Sequence, residues 1–162
     1  MKTKYLIFIL ISLIFNTSIF AAGNNDNTGL MTDPYVTASK LIKTAKKYEK
    51  KGNIEKAQKK YARAQKFLLK SNKEKPLQAD TLNYLGFTTR KLGDYKKGEE
   101  YYLLGLQIEP NHNGINEYLG ELYVVTGRLD LAKERLDLLK NCGCEEFGEL
   151  KQIIEGKKES KY

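Results

Sequence analysis

Five pairs of residues recur at one fixed separation. Gly93 and Gly127, Gly86 and Gly120, Tyr84 and Tyr118, Leu85 and Leu119, and Gly98 and Ala132 are each 34 residues apart. A shared period of this length marks stacked supersecondary units, because one such unit cannot bury its own apolar stripe and must share a core with its neighbours. Towards the N-terminus, Ala45 to Gly86, Gly52 to Gly93 and Ala57 to Gly98 are each 41 residues, so the first copy carries seven extra residues around Leu69 to Pro76. They lengthen either its second helix or its loop.

Each copy reads as helix, turn, helix. In the middle copy, Ala79 to His112, Leu82, Leu85, Gly86 and Thr89 share one helix. Gly93-Asp94 makes the turn, and Tyr95, Gly98, Tyr102 and Gly105 line the next helix until Pro110 forbids continuation. The first copy starts near Pro34, carries Leu41, Ala45 and Tyr48, turns at Gly52-Asn53, and continues through Ala57, Tyr61, Ala64 and Leu68. The third runs through Leu119, Gly120 and Tyr123, turns at Gly127, and resumes with Leu129, Ala132, Leu136 and Leu139. Small residues at Ala45, Gly86 and Gly120 allow close helix approach, with Tyr61 and Tyr102 filling the gaps between layers. Gly98 and Gly105 each cost on the order of 1 kcal/mol of helix propensity against Ala, a loss that close packing can offset. The last copy needs a lid, and EEFGELKQII, with Phe147, Leu150, Ile153 and Ile154, supplies one.

These residues resemble the tetratricopeptide repeat (TPR), with Leu82, Leu85, Gly86, Gly93, Tyr95, Tyr102 and Pro110 standing at its signature places over about Tyr35 to Glu146. The resemblance implies an all-α, right-handed superhelix of three helix-turn-helix repeats plus a C-terminal capping helix. It also implies protein or peptide binding in a concave groove lined by the first helix of each pair. The first copy has Leu69 where the closing Pro is expected, and the third has Asn116 and Cys144 at atypical places. Some family members grip C-terminal carboxylates with a clamp of two Lys, two Asn and one Arg. The matching places here hold Ile42, Lys46, Tyr84, Gly114 and Tyr118, so that activity does not carry over.

Residues 1–23 read as a signal peptide: Lys2 and Lys4, then the apolar run Tyr5 to Phe15, then small residues to Ala21, Ala22 and Gly23. An exported periplasmic or secreted protein follows, and an uncleaved anchor in the inner membrane is the competing reading. Residues 24–34 read as a flexible linker and 35–156 as the repeat domain. Within it the repeats span about 35–75, 79–112 and 113–144, with the cap at 145–156, and 157–162 form a frayed charged tail. Charge is uneven: Lys40 to Lys75 holds 14 Lys/Arg against 3 Glu, whereas Pro76 to Tyr162 holds 12 basic and 15 acidic residues. Thirteen of those 14 cations are Lys rather than the Arg that phosphate recognition prefers, and export further disfavours nucleic acid. Weak contact with an anionic membrane surface stays open.

No nucleophile triad, paired catalytic carboxylates or phosphate-cradling loop is visible, so a non-enzymatic protein without cofactor is expected. Metal binding would need ligands beyond Cys142, Cys144 and the distant His112. In an exported protein Cys142 and Cys144 suit a disulfide staple between third copy and lid, with a thiol-active accessory role as the alternative. The resemblance supports the staple, since small exported bacterial tetratricopeptide proteins carry paired cysteines before an acidic cap helix. It also places the groove candidates: Ile42, Lys46 and Glu49 in the first copy, Asn83, Tyr84, Phe87, Arg90 and Lys91 in the second, and Glu117, Tyr118 and Glu121 in the third. An apolar anchor against Phe87 and Tyr118, with register set by Arg90, Lys91, Glu117 and Glu121, is the expected mode of recognition.

Overall fold

A computed structural model describes residues 33–160. The expected signal peptide, nearly all of the expected linker and the last two residues lie outside the described residues. Three helical hairpins form: α1 (Pro34–Lys50) with α2 (Ile54–Glu74), α3 (Ala79–Lys91) with α4 (Tyr95–Ile108), and α5 (Asn113–Val125) with α6 (Leu129–Leu139). A seventh helix, α7 (Glu145–Ile154), packs on both helices of the third hairpin. No strand occurs among the described residues, in keeping with the all-α helical-repeat expectation.

Local chemistry sets the helix ends. Asp33, Asn53 and Asp94 cap α1, α2 and α4 by accepting from the backbone N–H of Tyr35, Lys56 and Lys97 at 2.8, 3.2 and 2.9 Å. The three hairpins close on Gly52, Gly93 and Gly127 at φ +70°, +98° and +75°. A side chain at any of the three would meet nothing within 4 Å, so these turns need glycine for its backbone and not for space. The extra residues of the first copy are helical. α2 spans 21 residues against 14 for α4, and Leu68 and Ser71 bury one face of the added turns. With Leu69 in place of a closing proline nothing stops the helix until Pro76, which disfavours helical backbone at Lys75.

Small residues admit large ones between layers. A Cβ on Gly86 would stand 2.5 Å from Tyr102 Cε1, and one on Gly120 would stand 2.5 Å from Leu150 Cδ2. Gly86 therefore seats the aromatic of its own hairpin, and Gly120 seats the lid. Gly98 and Gly105 are also close contacts: Cβ atoms there would lie 3.1 Å from the Gly86 carbonyl oxygen and 2.5 Å from Ile115 Cδ1. Lost helix propensity in α4 is thus traded for tight packing against α3 and α5. In the lid Leu150 and Ile153 are buried, whereas Phe147 stays partly exposed.

Candidate functional site

Helices α1, α3 and α5 lie side by side and form the floor of a groove of about 1190 Å³, which α7 and the chain after it wall at one end. Such a volume exceeds the roughly 300–1,000 Å³ of ordinary small-molecule pockets. At its centre Lys46 Nζ donates to the Tyr118 hydroxyl at 3.0 Å and lies 4.5 Å from the centroid of Phe87. Phe87 in turn packs against Tyr118 at 5.0 Å and edge-on to Tyr61 at 5.7 Å. Lys91 Nζ meets Glu49 at 2.6 Å, and Glu49 accepts from the Tyr61 hydroxyl at 2.7 Å. Tyr84, half-buried, stacks on Tyr35.

Several residues expected at the groove surface lie beneath it, and their roles change accordingly. Phe87 is fully buried because Lys46, Tyr61 and Tyr118 converge on its ring, so it shapes the floor instead of offering an open anchor. The side chains of Arg90 and Glu121 are 1% and 0% exposed. Arg90 donates through Nη1 to the Tyr118 carbonyl at 2.6 Å, and its Nη2 lies 3.5 Å from Glu121 Oε2. This ion pair ties α3 to α5 inside the protein and cannot set the register of a ligand. Burial pulls the Arg90 guanidinium down to about 10, against the opposing pull of Tyr102 and Glu121. Burial likewise pushes the Tyr118 and Tyr102 phenols well above their ordinary range. Ile42 and Glu117 are also buried, and Glu117 lines the floor.

Asn83 is 7% exposed and lines the groove, and its Oδ1 accepts no hydrogen bond among the described residues. Beside it Gly114 leaves room: a Cβ there would stand 2.8 Å from Asn83 Nδ2. His112 caps α5, accepting from Ile115 N at 3.2 Å through Nδ1, while Nε2 lies 3.2 Å from Asp80 Oδ1. Among the described residues no group of three or more His, Cys, Asp or Glu could hold a metal ion. Cys142 and Cys144 are joined by a disulfide at the corner between α6 and α7.

Sequence reasoning missed the end wall. Glu145, Glu146 and Glu149 of α7 face the groove, and the chain beyond turns back at Gly156, φ +68°, instead of fraying. Lys157 and Lys158 donate their backbone N–H to Gln152 O, Lys158 Nζ lies 2.7 Å from Glu149 Oε1, and Ser160 Oγ lies 3.4 Å from Glu121 Oε2. A glycine directly after α7 was the one available signal. The lysines of α1 and α2, such as Lys43, Lys47, Lys59 and Lys66, point to solvent. No described helix is long and apolar enough to cross a membrane.

Comparison of the sequence with protein-family models and with curated proteins gives no match. Solved structures do match. One is the first TPR of Spaghetti (RPAP3) bound to the HSP90 peptide SRMEEVD, at 18% identity and TM-score 0.52 over 75% of this chain and 94% of that one. Another is the Yersinia enterocolitica type III secretion translocator chaperone SycD, at 18% identity and TM-score 0.53 over 75% of this chain and 83% of that one. With the three hairpins, spaced by 41 and then 34 residues, these likenesses establish a tetratricopeptide-type helical-repeat fold.

Proposed function

We propose that the chain is a non-enzymatic adaptor that holds an extended peptide or protein segment in the groove of α1, α3 and α5. The observation that carries this reading is the groove itself, about 1190 Å³ with a floor fixed by the Lys46, Phe87 and Tyr118 cluster. A pre-formed, rigid floor lowers the ordering cost of binding. Tyr84, partly exposed, lines it and is an aromatic of the kind enriched at recognition surfaces. The RPAP3 domain of similar fold holds an HSP90 peptide, which supports the same use here. Export of the adaptor to the cell envelope is supported by the leader pattern of residues 1–23 and by the Cys142–Cys144 disulfide.

A photo-crosslinking residue at Tyr84, compared with one at exposed Lys59, tests the groove in the native compartment. A distinct set of partners captured only from position 84 is the expected result. The same species captured from both positions refutes it. A second reading, contact with anionic lipid through the exposed lysines of α1 and α2, predicts that capture from position 59 depends on membranes.

A further inference from the structure

We infer that the α7 end of the groove takes a cationic, lysine-containing extended segment, in the place now held by the chain's own residues Lys157 to Ser160. This rests on the groove reading above and specifies its partner.

Three observations converge. The wall is acidic: Glu145 and Glu146 stand at the mouth with Glu149 beside them, and neither Glu145 nor Glu146 meets a cation among the described residues. Their place in the first turn of α7 suits the positive end of that helix, so the charge is cheap to hold there and still faces the groove. Next, the chain shows what this wall accepts. Lys158 seats its ammonium on Glu149 at 2.7 Å and Ser160, two residues on, directs its hydroxyl to Glu121 at 3.4 Å. A short segment thus already meets Glu149 of the wall with one cation and Glu121 of α5 with one neutral donor. Finally, Asn83 lines the groove with an amide oxygen that is buried and accepts nothing among the described residues. A buried acceptor without a donor is costly, and a backbone N–H or a lysine ammonium of a bound segment would satisfy it. Gly114 lets that amide sit close against α5, since a Cβ there would stand 2.8 Å from Asn83 Nδ2.

Any extended segment can offer Asn83 a backbone donor, but only a cationic one also suits the acidic wall. A peptide such as the SRMEEVD bound by the RPAP3 domain would bring carboxylates against Glu145, Glu146 and Glu149. Like charges at such a surface select against the wrong partner more than they cost the right one. Because Lys157 to Ser160 are tethered nearby, they compete at high effective concentration, and a partner must displace them.

The test is fluorescence anisotropy with full-length protein and three labelled peptides: GKKESKY, the sequence of residues 156–162, its charge-reversed counterpart GEEKSEY, and SRMEEVD. GKKESKY should bind more weakly as salt rises, and at least about tenfold more tightly than either acidic peptide. Lys158→Ala with Ser160→Ala, which loosens the resident segment, should tighten GKKESKY binding by about three- to tenfold. Glu145→Gln with Glu146→Gln should weaken it by about fivefold while circular dichroism stays unchanged. Equal or tighter binding of an acidic peptide overturns the charge assignment but leaves the groove reading standing. Absence of GKKESKY binding to the loosened variant also overturns it. If GKKESKY binds as expected but the residue at Tyr84 captures nothing in the native compartment, the adaptor reading fails and the cationic site stands.

Discussion

Arg90 and Glu121 give the sharpest energetic test of the structure, because position in the repeat puts them at the groove and the packing of α3 on α5 puts them in the core. Consider Arg90→Met, which keeps an unbranched apolar stem but removes the guanidinium and its charge. Two losses follow. The Tyr118 carbonyl loses its 2.6 Å donor, and Glu121, 0% exposed, loses the cation 3.5 Å away. A charge-assisted hydrogen bond is worth about 1.5–3 kcal/mol. Stranding one partner of a buried ion pair costs about 3–5 kcal/mol. The two losses overlap, so the variant should fall by about 3–5 kcal/mol, a large share of the roughly 5–15 kcal/mol that stabilises a domain. Arg90→Met combined with Glu121→Leu removes both charges and should recover the ion-pair loss, leaving a deficit of at most about 1.5–3 kcal/mol from the Tyr118 carbonyl, since apolar replacement of a whole buried pair is often neutral.

Urea unfolding followed by circular dichroism reads these differences as a double-mutant cycle. The single variant also carries a pH signature. Without Arg90 the buried Glu121 carboxyl is raised above its unfolded value of about 4.3. The folded state then binds more protons than the unfolded one between those two values, so stability falls as pH rises through that window. The deficit of Arg90→Met should therefore be smaller at pH 5 than at pH 8. A cost below about 1 kcal/mol, an equal deficit at both pH values, or a double variant as damaged as the sum of the singles would refute the buried pair.

Two glycines in helices should respond with opposite sign to the same change. Gly148→Ala meets nothing within 4 Å and should gain up to about 1 kcal/mol of helix propensity, whereas Gly86→Ala drives a methyl to 2.5 Å from the Tyr102 ring and should lose a net 1 kcal/mol or so. Thermal melts check both, and a shared sign would refute the packing role of Gly86. Tyr61, Tyr102 and Tyr118 are held by burial above their ordinary value, so from about pH 10 the unfolded chain loses phenol protons that the folded one keeps. Stability is then full below that pH and falls above it. Arg90, lowered to about 10, works in the opposite direction over that range but is one group against three. Urea midpoints read with tyrosinate absorbance should fall together, and flat midpoints up to pH 11 would contradict the burial. Replacing Cys142 and Cys144 with Ser opens a ring of sequence separation 2, so the cost should stay below about 2 kcal/mol, and a larger loss would mean that the bond organises the seat of α7.

The fold was legible because its constraints are local or periodic. Gly52, Gly93 and Gly127 mark turns by backbone alone, Pro110 ends a helix by itself, and a 34-residue repeat carries each hairpin's reading to the next. The seven extra residues of the first copy were ambiguous because a lysine-rich segment suits an exposed helix and a loop equally. Only the burial of Leu68 and Ser71 decides for the helix. The groove was half legible. Repeat position tells which helix lines it, but not which side chains on that helix are roofed by a neighbour. Lys46 covers Phe87 and Tyr118 from another hairpin, a contact 72 residues long in sequence that no period encodes.

Charge shows the same limit in a form that bears on function. A net charge of +8, concentrated in Lys40 to Lys75, argues for an anionic partner if the molecule is treated as one body. The structure turns most of that charge away from the groove, which only Lys46 and Lys50 of this segment's cations line. Lys43, Lys47, Lys59 and Lys66 face solvent, while Lys46 and Lys91 turn inward onto Tyr118 and Glu49. At the far end Glu145, Glu146 and Glu149 give the groove a local sign opposite to that of the whole chain. If the groove binds a segment as proposed, the charges that line it at the α7 end, not the total, would set that segment's sign.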